Sequence, residues 1–541
     1  PVAGGGWRDV QHVVSTWTYQ GLLGGLVGFT YNERTTTTRV GEGGAASVST
    51  TVQHSLTPFV QGGKTLLYTA NETTEWEGEA GLELRSTVKG FQVRVGQAPY
   101  SASDYRVILT SDERRSVVMG FATVVARTTI ELTDQGLPRQ TNVFTGSAMA
   151  ATVREFDPST GLLLTEKKPS QVPLGASGKL SKVTYDPTKV FVEKTTNELG
   201  QSVSAYRDPG TGALVKRTGP NVRNLKAPGC TSPITWICPV LAWPETETWV
   251  VDGFGRVVLH RVAIDLASGH YGLADAEVSA YVESEIPNRV ITQRLRDFGG
   301  SAWVKSEAFM DGLGRPYTTI ERNQQSGRPD AVTTYAYDAG GAMRSMAVPD
   351  PQQLGDSTAQ VTYTYDRDGL GRVTRFERPD GSEERVVYGA ERTSASTWSP
   401  IEGLGAATEV RHDGYGRLVE VKEYDNPTPG TVAVTYYGHD ALDRVTSMLD
   451  ADGNQTILGY DWRGLRTSVA RGNRVWSYTY DLDGNLTTAR SPMPAGANAA
   501  HYTSTNTYDV LGRVTWHQPA TRGMTTTRLA QLGIGATSTS Y

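Results

Sequence analysis

Between Val361 and Asp366 the chain alternates strictly, with Val361, Tyr363 and Tyr365 on one face and Thr362 and Thr364 on the other. A period of two predicts a strand. Asp366 to Gly371, which follows, predicts a turn, because Asp accepts local backbone N–H groups and Gly tolerates positive φ. Arg372 to Arg378 returns as a second strand, Pro379-Asp380-Gly381 supplies the next turn, and a third strand runs to Tyr388. The unit is two strands and two turns in roughly 20–28 residues. Arg474 to Tyr480 alternates in the same way and places Trp476, Tyr478 and Tyr480 on one face. Helical periodicity is scarce, and Leu273 to Ile286 is the best helix candidate.

The unit recurs. Tyr365-Asp366 leads to Gly371-Arg372, Tyr480-Asp481 to Gly484-Asn485, and Tyr508-Asp509 to Gly512-Arg513. Further copies are His412-Asp413 with Gly416-Arg417, Asp440 with Asp443-Arg444, Tyr460-Asp461 with Gly464, and Tyr337-Asp338. Asp252 to Arg256 and Asp311 to Arg315 fit the turn half, and the segments at Asp157, Asp186 and Asp208 read as diverged copies. This divides the chain into a β-rich region 1–149 without the beat, diverged repeats 150–308, clear repeats 309–518 and a Gly/Thr/Ser-rich end 519–541. The Pro-rich stretch 220–244 reads as an inserted loop. A unit that cannot bury its own apolar face implies an array whose members support one another.

Composition adds exclusions. The 541 residues carry 59 Gly and a net charge of −5 with the signs interspersed, which lacks the basic footprint of a nucleic-acid binder. No apolar run nears the roughly 20 residues of a membrane-spanning helix. No secretory leader opens the sequence, and a first residue of Pro points to a fragment or a processed form. The two cysteines, Cys230 and Cys238, have no nearby partners for a metal site; they read as either a local disulfide or two free thiols.

Candidate chemistry is thin. Asp481 to Asn485 and Asp450 to Asn454 faintly resemble the opening of a calcium loop, but no flanking helices or bidentate Glu follow, and turns account for these residues. The eight histidines are scattered, and neither a nucleophile elbow nor a phosphate-binding loop occurs. The expectation is a non-enzyme with no cofactor and no metal. The aromatics read as cross-strand support, and the Arg after each Gly as an edge charge pairing with a neighbouring Asp.

These spaced Tyr-Asp and Gly-Arg beats resemble the YD-repeat, or Rhs-repeat, family: bacterial Rhs proteins, the B and C components of insecticidal toxin complexes, and animal teneurins. The match covers residues 150–518 and is strongest from 309. Trp17 to Thr30 more weakly resembles the region preceding the repeats in toxin-complex B components. The resemblance implies an all-β fold, a continuous ribbon of short antiparallel strands spiralling into a hollow shell. It implies containment of a toxin or effector polypeptide, a capping or delivery component as partner, and a secreted or cell-surface location. Its alternative is a surface adhesion or glycan-binding protein. The self-cleavage segment with which bacterial shells finish does not follow Tyr508, so no protease residues carry over.

Overall fold

The computed structural model describes the chain apart from residues 1–10, 22–27, 41–45, 62–63, 78–82, 96–104, 119–120, 227–239, 266–270, 285, 297–301, 324–328, 354–355, 357–358, 390–391, 400–402, 425–431, 523, 525–532, 534, 536 and 540–541. Cys230 and Cys238 lie outside the described residues. Strand follows strand throughout, and the helical turns among the described residues are two short 3₁₀ segments, Val172–Ser177 and Ala499–Tyr502. The registered pairs are antiparallel and join sequence neighbours, for instance Ala331–Tyr337 with Met343–Pro349 and the latter with Gln360–Arg367. The result is an all-β meander, the ribbon that the alternation predicts.

The stretch 273–286 is a correction. Tyr271–Val282 is a strand, paired with Val257–Asp265 through Ala263 opposite Leu273 and with Arg289–Leu295 through Val278 opposite Gln293. Its Ala and Glu residues favour a helix locally, and ladder bonds on both sides override that preference. Strand length also varies more than the repeat suggests. Ala46–Gln61 has 16 residues and Lys64–Glu77 has 14, whereas Val373–Glu377 and Leu486–Arg490 have 5 each. Long Thr- and Val-rich runs without Asp-Gly punctuation keep a strand going.

The chain forms two compact units. One comprises Pro1–Leu180, Val386–Thr397 and Leu404–Tyr541; the other comprises Ser181–Arg385 and Trp398–Gly403. They are called here the first and second units. In neither do the described residues form a thick apolar interior: the buried apolar side chains are Ala150, Ala151 and Ala441, and the largest fully buried side chain is Glu383. A sandwich would bury rows of Val, Leu and Ile between its layers. Here support comes from neighbours along the sheet. Tyr365 stacks on Phe376 across the ladder with centroids 5.0 Å apart, and Trp249 stacks on His260 at 4.9 Å.

Candidate functional site

The repeated element is a five-residue turn built around one aspartate. In Asp413–Arg417, Oδ1 of Asp413 accepts the backbone N–H of Tyr415 and of Arg417, both at 3.0 Å, and Oδ2 receives Nε of Arg417 at 2.6 Å. The Asp413 N–H donates to the Arg417 carbonyl and the Gly416 N–H to the Asp413 carbonyl, each at 2.9 Å. This is a tight turn closed by a bulge residue with positive φ, which is why Gly stands fourth; Gly512, for example, has φ 80°. Asp252, Asp311, Asp440 and Asp509 repeat the arrangement with Arg256, Arg315, Arg444 and Arg513. In Asp481 the fifth residue is Asn485, whose side-chain amide donates to Oδ2 at 2.9 Å. In Asp461 the guanidinium comes instead from Arg463, with Nε at 2.9 Å. Asp338 keeps the backbone bond, from the Ala342 N–H.

One copy is shifted. Asp366 lies in the strand Gln360–Arg367, 3.5 Å from Arg375, and the turn is built by Asp368, which holds Arg372 at 2.7 Å. Asp450, in the second calcium-like stretch, spends its carboxylate on the Asp452 and Asn454 N–H groups and the Asn454 amide.

Tyrosine links one repeat to the one before. The hydroxyls of Tyr337, Tyr460, Tyr480 and Tyr508 donate to the carbonyls of Pro316, Val445, Arg466 and Leu486, at 2.7 to 2.8 Å. In each case the acceptor is the residue that immediately follows the preceding turn on the same edge of the ribbon. The arginines connect the same neighbours. Arg315 lies over the Tyr337 ring at 4.3 Å and Arg444 over Tyr460 at 4.9 Å, and Arg444 and Arg463 donate to the carbonyls of Asp461 and Asp481, both at 2.8 Å. The Tyr-Asp and Gly-Arg beats are therefore a ladder of turns, tied internally by Asp and, at these repeats, laterally by Tyr or Arg.

The carboxylates of Asp311 and Asp509 are held ionised. At Asp311 the Arg315 N–H and then its guanidinium lower the pKa. At Asp509 burial pushes upward, but the N–H and guanidinium of Arg513 prevail and the pKa is lowered. Three glutamates are also buried and sit among cations: Glu307 beside Arg322 (2.7 Å) and Lys305 (3.1 Å), Glu420 beside Lys422 (3.2 Å), and Glu383 bonded to Arg375 and Arg385.

Within the first unit an early stretch of ribbon lies on the late turns. Arg85 donates to the Ala441 carbonyl (3.2 Å), pairs with Asp443 (2.7 Å) and lies over the Tyr415 ring at 5.3 Å. The Trp462 N–H reaches the Thr145 carbonyl at 3.5 Å, with Gly146 against the indole. The Ser170 N–H donates to Asp483 at 2.8 Å, and the Lys168 ammonium to the Val510 carbonyl at 3.3 Å. The side-chain bonds join residues separated by 313 to 358 positions. Nothing in the motif marks Arg85, Thr145, Lys168 or Ser170. The one local signal is Asp443, which takes the place of Gly at the positive-φ position (φ 63°).

A meander of short antiparallel strands tied by Asp turns places this chain in the fold of the toxin-complex shells. Two solved structures share it: the TcdB2-TccC3 complex (TM-score 0.66, 11% identity, 94% of this chain) and a TcdB2-TccC3-TEV complex (TM-score 0.68, 9% identity, 94% of this chain). A third is a Tc holotoxin pore of Photorhabdus luminescens (TM-score 0.67, 11% identity, 96% of this chain). The chain spans about a third of the length of the chains it matches, 32 to 34%. No family model matches the chain, and no curated protein matches it. Among the described residues no helix is long and apolar enough to cross a membrane.

Proposed function

We propose that the chain is wall material: a stretch of an exported β-ribbon shell that encloses a toxin or effector polypeptide until delivery, without catalysis of its own. The observation that carries this reading is the lack of an apolar interior among the described residues, combined with lateral support at the repeats of Tyr337, Tyr460, Tyr480 and Tyr508. A sheet held along its own plane keeps both faces available, so it can divide a cargo from its surroundings. The fold it shares with the toxin-complex structures supports the same conclusion. One structure of that fold is a Tc holotoxin pore, and containment is a role that a long self-supporting ribbon suits.

The test is protease protection. The chain is produced together with the cargo polypeptide encoded beside it, and the cargo is digested in the assembly and alone. Containment requires the cargo to persist in the assembly under conditions that degrade it alone. Equal digestion rates would sink the reading.

A further inference from the structure

The second unit carries a row of apolar side chains that its own fold leaves bare. Its strands pair in unbroken sequence order from Ser181–Tyr185 to Glu383–Tyr388, so alternate turns share one edge of the ribbon. On that edge stand Val190, Phe254, Ile286, Leu313 and Leu370, exposed by 67, 79, 99, 78 and 62%. Single exposed apolar residues are ordinary; a row of five at the tips of one edge marks an interaction surface.

The first unit shows what the same kind of edge receives. There the tips bearing Tyr415, Leu442 and Leu511 are half-buried, and cations from the covering ribbon reach the carbonyl one residue after the turn aspartate, Arg85 at Ala441 and Lys168 at Val510. The covering residues come from one edge too: Arg85 just after the start of Glu83–Val95, Thr145 between Pro138–Phe144 and Met149–Phe156, and Lys168 just after Leu163–Lys167. The contact is thus turn edge against opposite edge, and the chain contains both halves.

From this we infer that the bare turn edge of the second unit docks the opposite edge of a second copy of the chain. The second unit supplies that opposite edge as well, in the loops around Asn197–Gln201 and Arg378–Ser382, with Leu199 exposed at the first. The inference rests on the reading of the chain as wall material and names what extends the wall. A contact between two different edges is heterologous, so copies add in series rather than closing as a symmetric pair.

The test is sedimentation of the whole chain over a range of concentrations. Wild type should form a ladder of dimers and larger species that grows with concentration. The triple variant Phe254→Glu, Leu313→Glu and Leu370→Glu should weaken association about tenfold or more, as should Leu199→Glu on the opposite edge. Ile457→Glu, which alters an exposed apolar residue away from both edges, should leave association unchanged. Circular dichroism of each variant separates loss of docking from loss of fold. A wild type that stays monomeric, a triple variant that associates as wild type does, or a Leu199→Glu chain with undiminished association overturns the assignment. Protease protection of cargo reads a different quantity, so failure of the shell reading and failure of this interface are distinguishable.

Discussion

The turns at Asp311 and Asp413 are the same device in two settings. Each aspartate accepts two backbone N–H groups and a guanidinium four residues on, with side-chain distances of 2.8 and 2.6 Å. Around Asp413 an earlier stretch of ribbon brings Arg85 over the tip; at the Asp311 turn Leu313 points into solvent. The side chains of Asp413 and Arg417 retain 7 and 12% exposure, and those of Asp311 and Arg315 retain 23 and 28%. The motif thus dictates the turn but not its surroundings, since Leu stands third both in covered turns (Leu442, Leu511) and in bare ones (Leu313, Leu370). Covered and bare rows follow from tertiary context alone.

Burial should set the energetic weight of the motif. Asp413→Ala strands a guanidinium and two N–H groups under cover and should cost about 3 kcal/mol, whereas Asp311→Ala lets water replace the lost bonds and should cost markedly less. Urea midpoints of the two variants decide it. Equal losses would mean that cover adds nothing to the turn.

A smaller difference is expected from the tyrosines. Tyr508→Phe removes the hydroxyl bond to Leu486 and should cost about 1 kcal/mol. Tyr365→Phe should be close to neutral, because the shifted copy places this ring on Phe376 through its face. A Tyr365→Phe loss as large as that of Tyr508→Phe would contradict the assigned register.

Much of this was legible in the residues, and the reason is locality. Alternation and Asp-Gly punctuation act within five or six positions, so strand and turn at Gly371, Gly416 or Gly512 follow from sequence alone. Where two local signals compete, the reading slips. Asp366 and Asp368 both suit a turn, and only register shows that Asp368 builds it. Leu273 to Ile286 has helix-favouring residues, and only the neighbouring strands make it extended. The partners that cover the first unit's turns could not be found in this way. Arg85 and Lys168 are ordinary cations until the fold brings them to carbonyls more than three hundred residues away.

Acid should separate the rows further. His439 takes the place of the tyrosine in the covered row; burial, and then the Arg417 charge, lower its pKa. The unfolded chain therefore binds the proton more tightly, so this contribution to stability is complete above about pH 6.5 and declines as pH falls below it. Asp311, on the bare row, is also lowered, and its contribution persists until pH falls below about 4. The melting temperature should fall between pH 7 and pH 5, and His439→Tyr should remove most of that fall. An unchanged pH profile in His439→Tyr would show that the histidine plays no part.

The smallest effect expected on global stability falls where covered and bare turns differ by one residue. Asp443 occupies the position that elsewhere carries Gly and adopts φ 63°, a conformation costing an ordinary side chain about 1–2 kcal/mol and Asp somewhat less. In return its carboxylate pairs with Arg85 at 2.7 Å and lies 3.4 Å from Arg417. Asp443→Gly relieves the backbone and removes both partners, two changes of opposite sign and similar size, so the urea midpoint should move by less than about 1 kcal/mol. The local consequence should be larger than the global one. With Arg85 released, amide exchange in Glu83–Val95 should accelerate while exchange in Leu418–Tyr424 stays as it is. Unaltered protection of Glu83–Val95 would mean that the Arg85 pairing does not hold the covering ribbon in place, and that the Tyr415 and Ala441 contacts suffice.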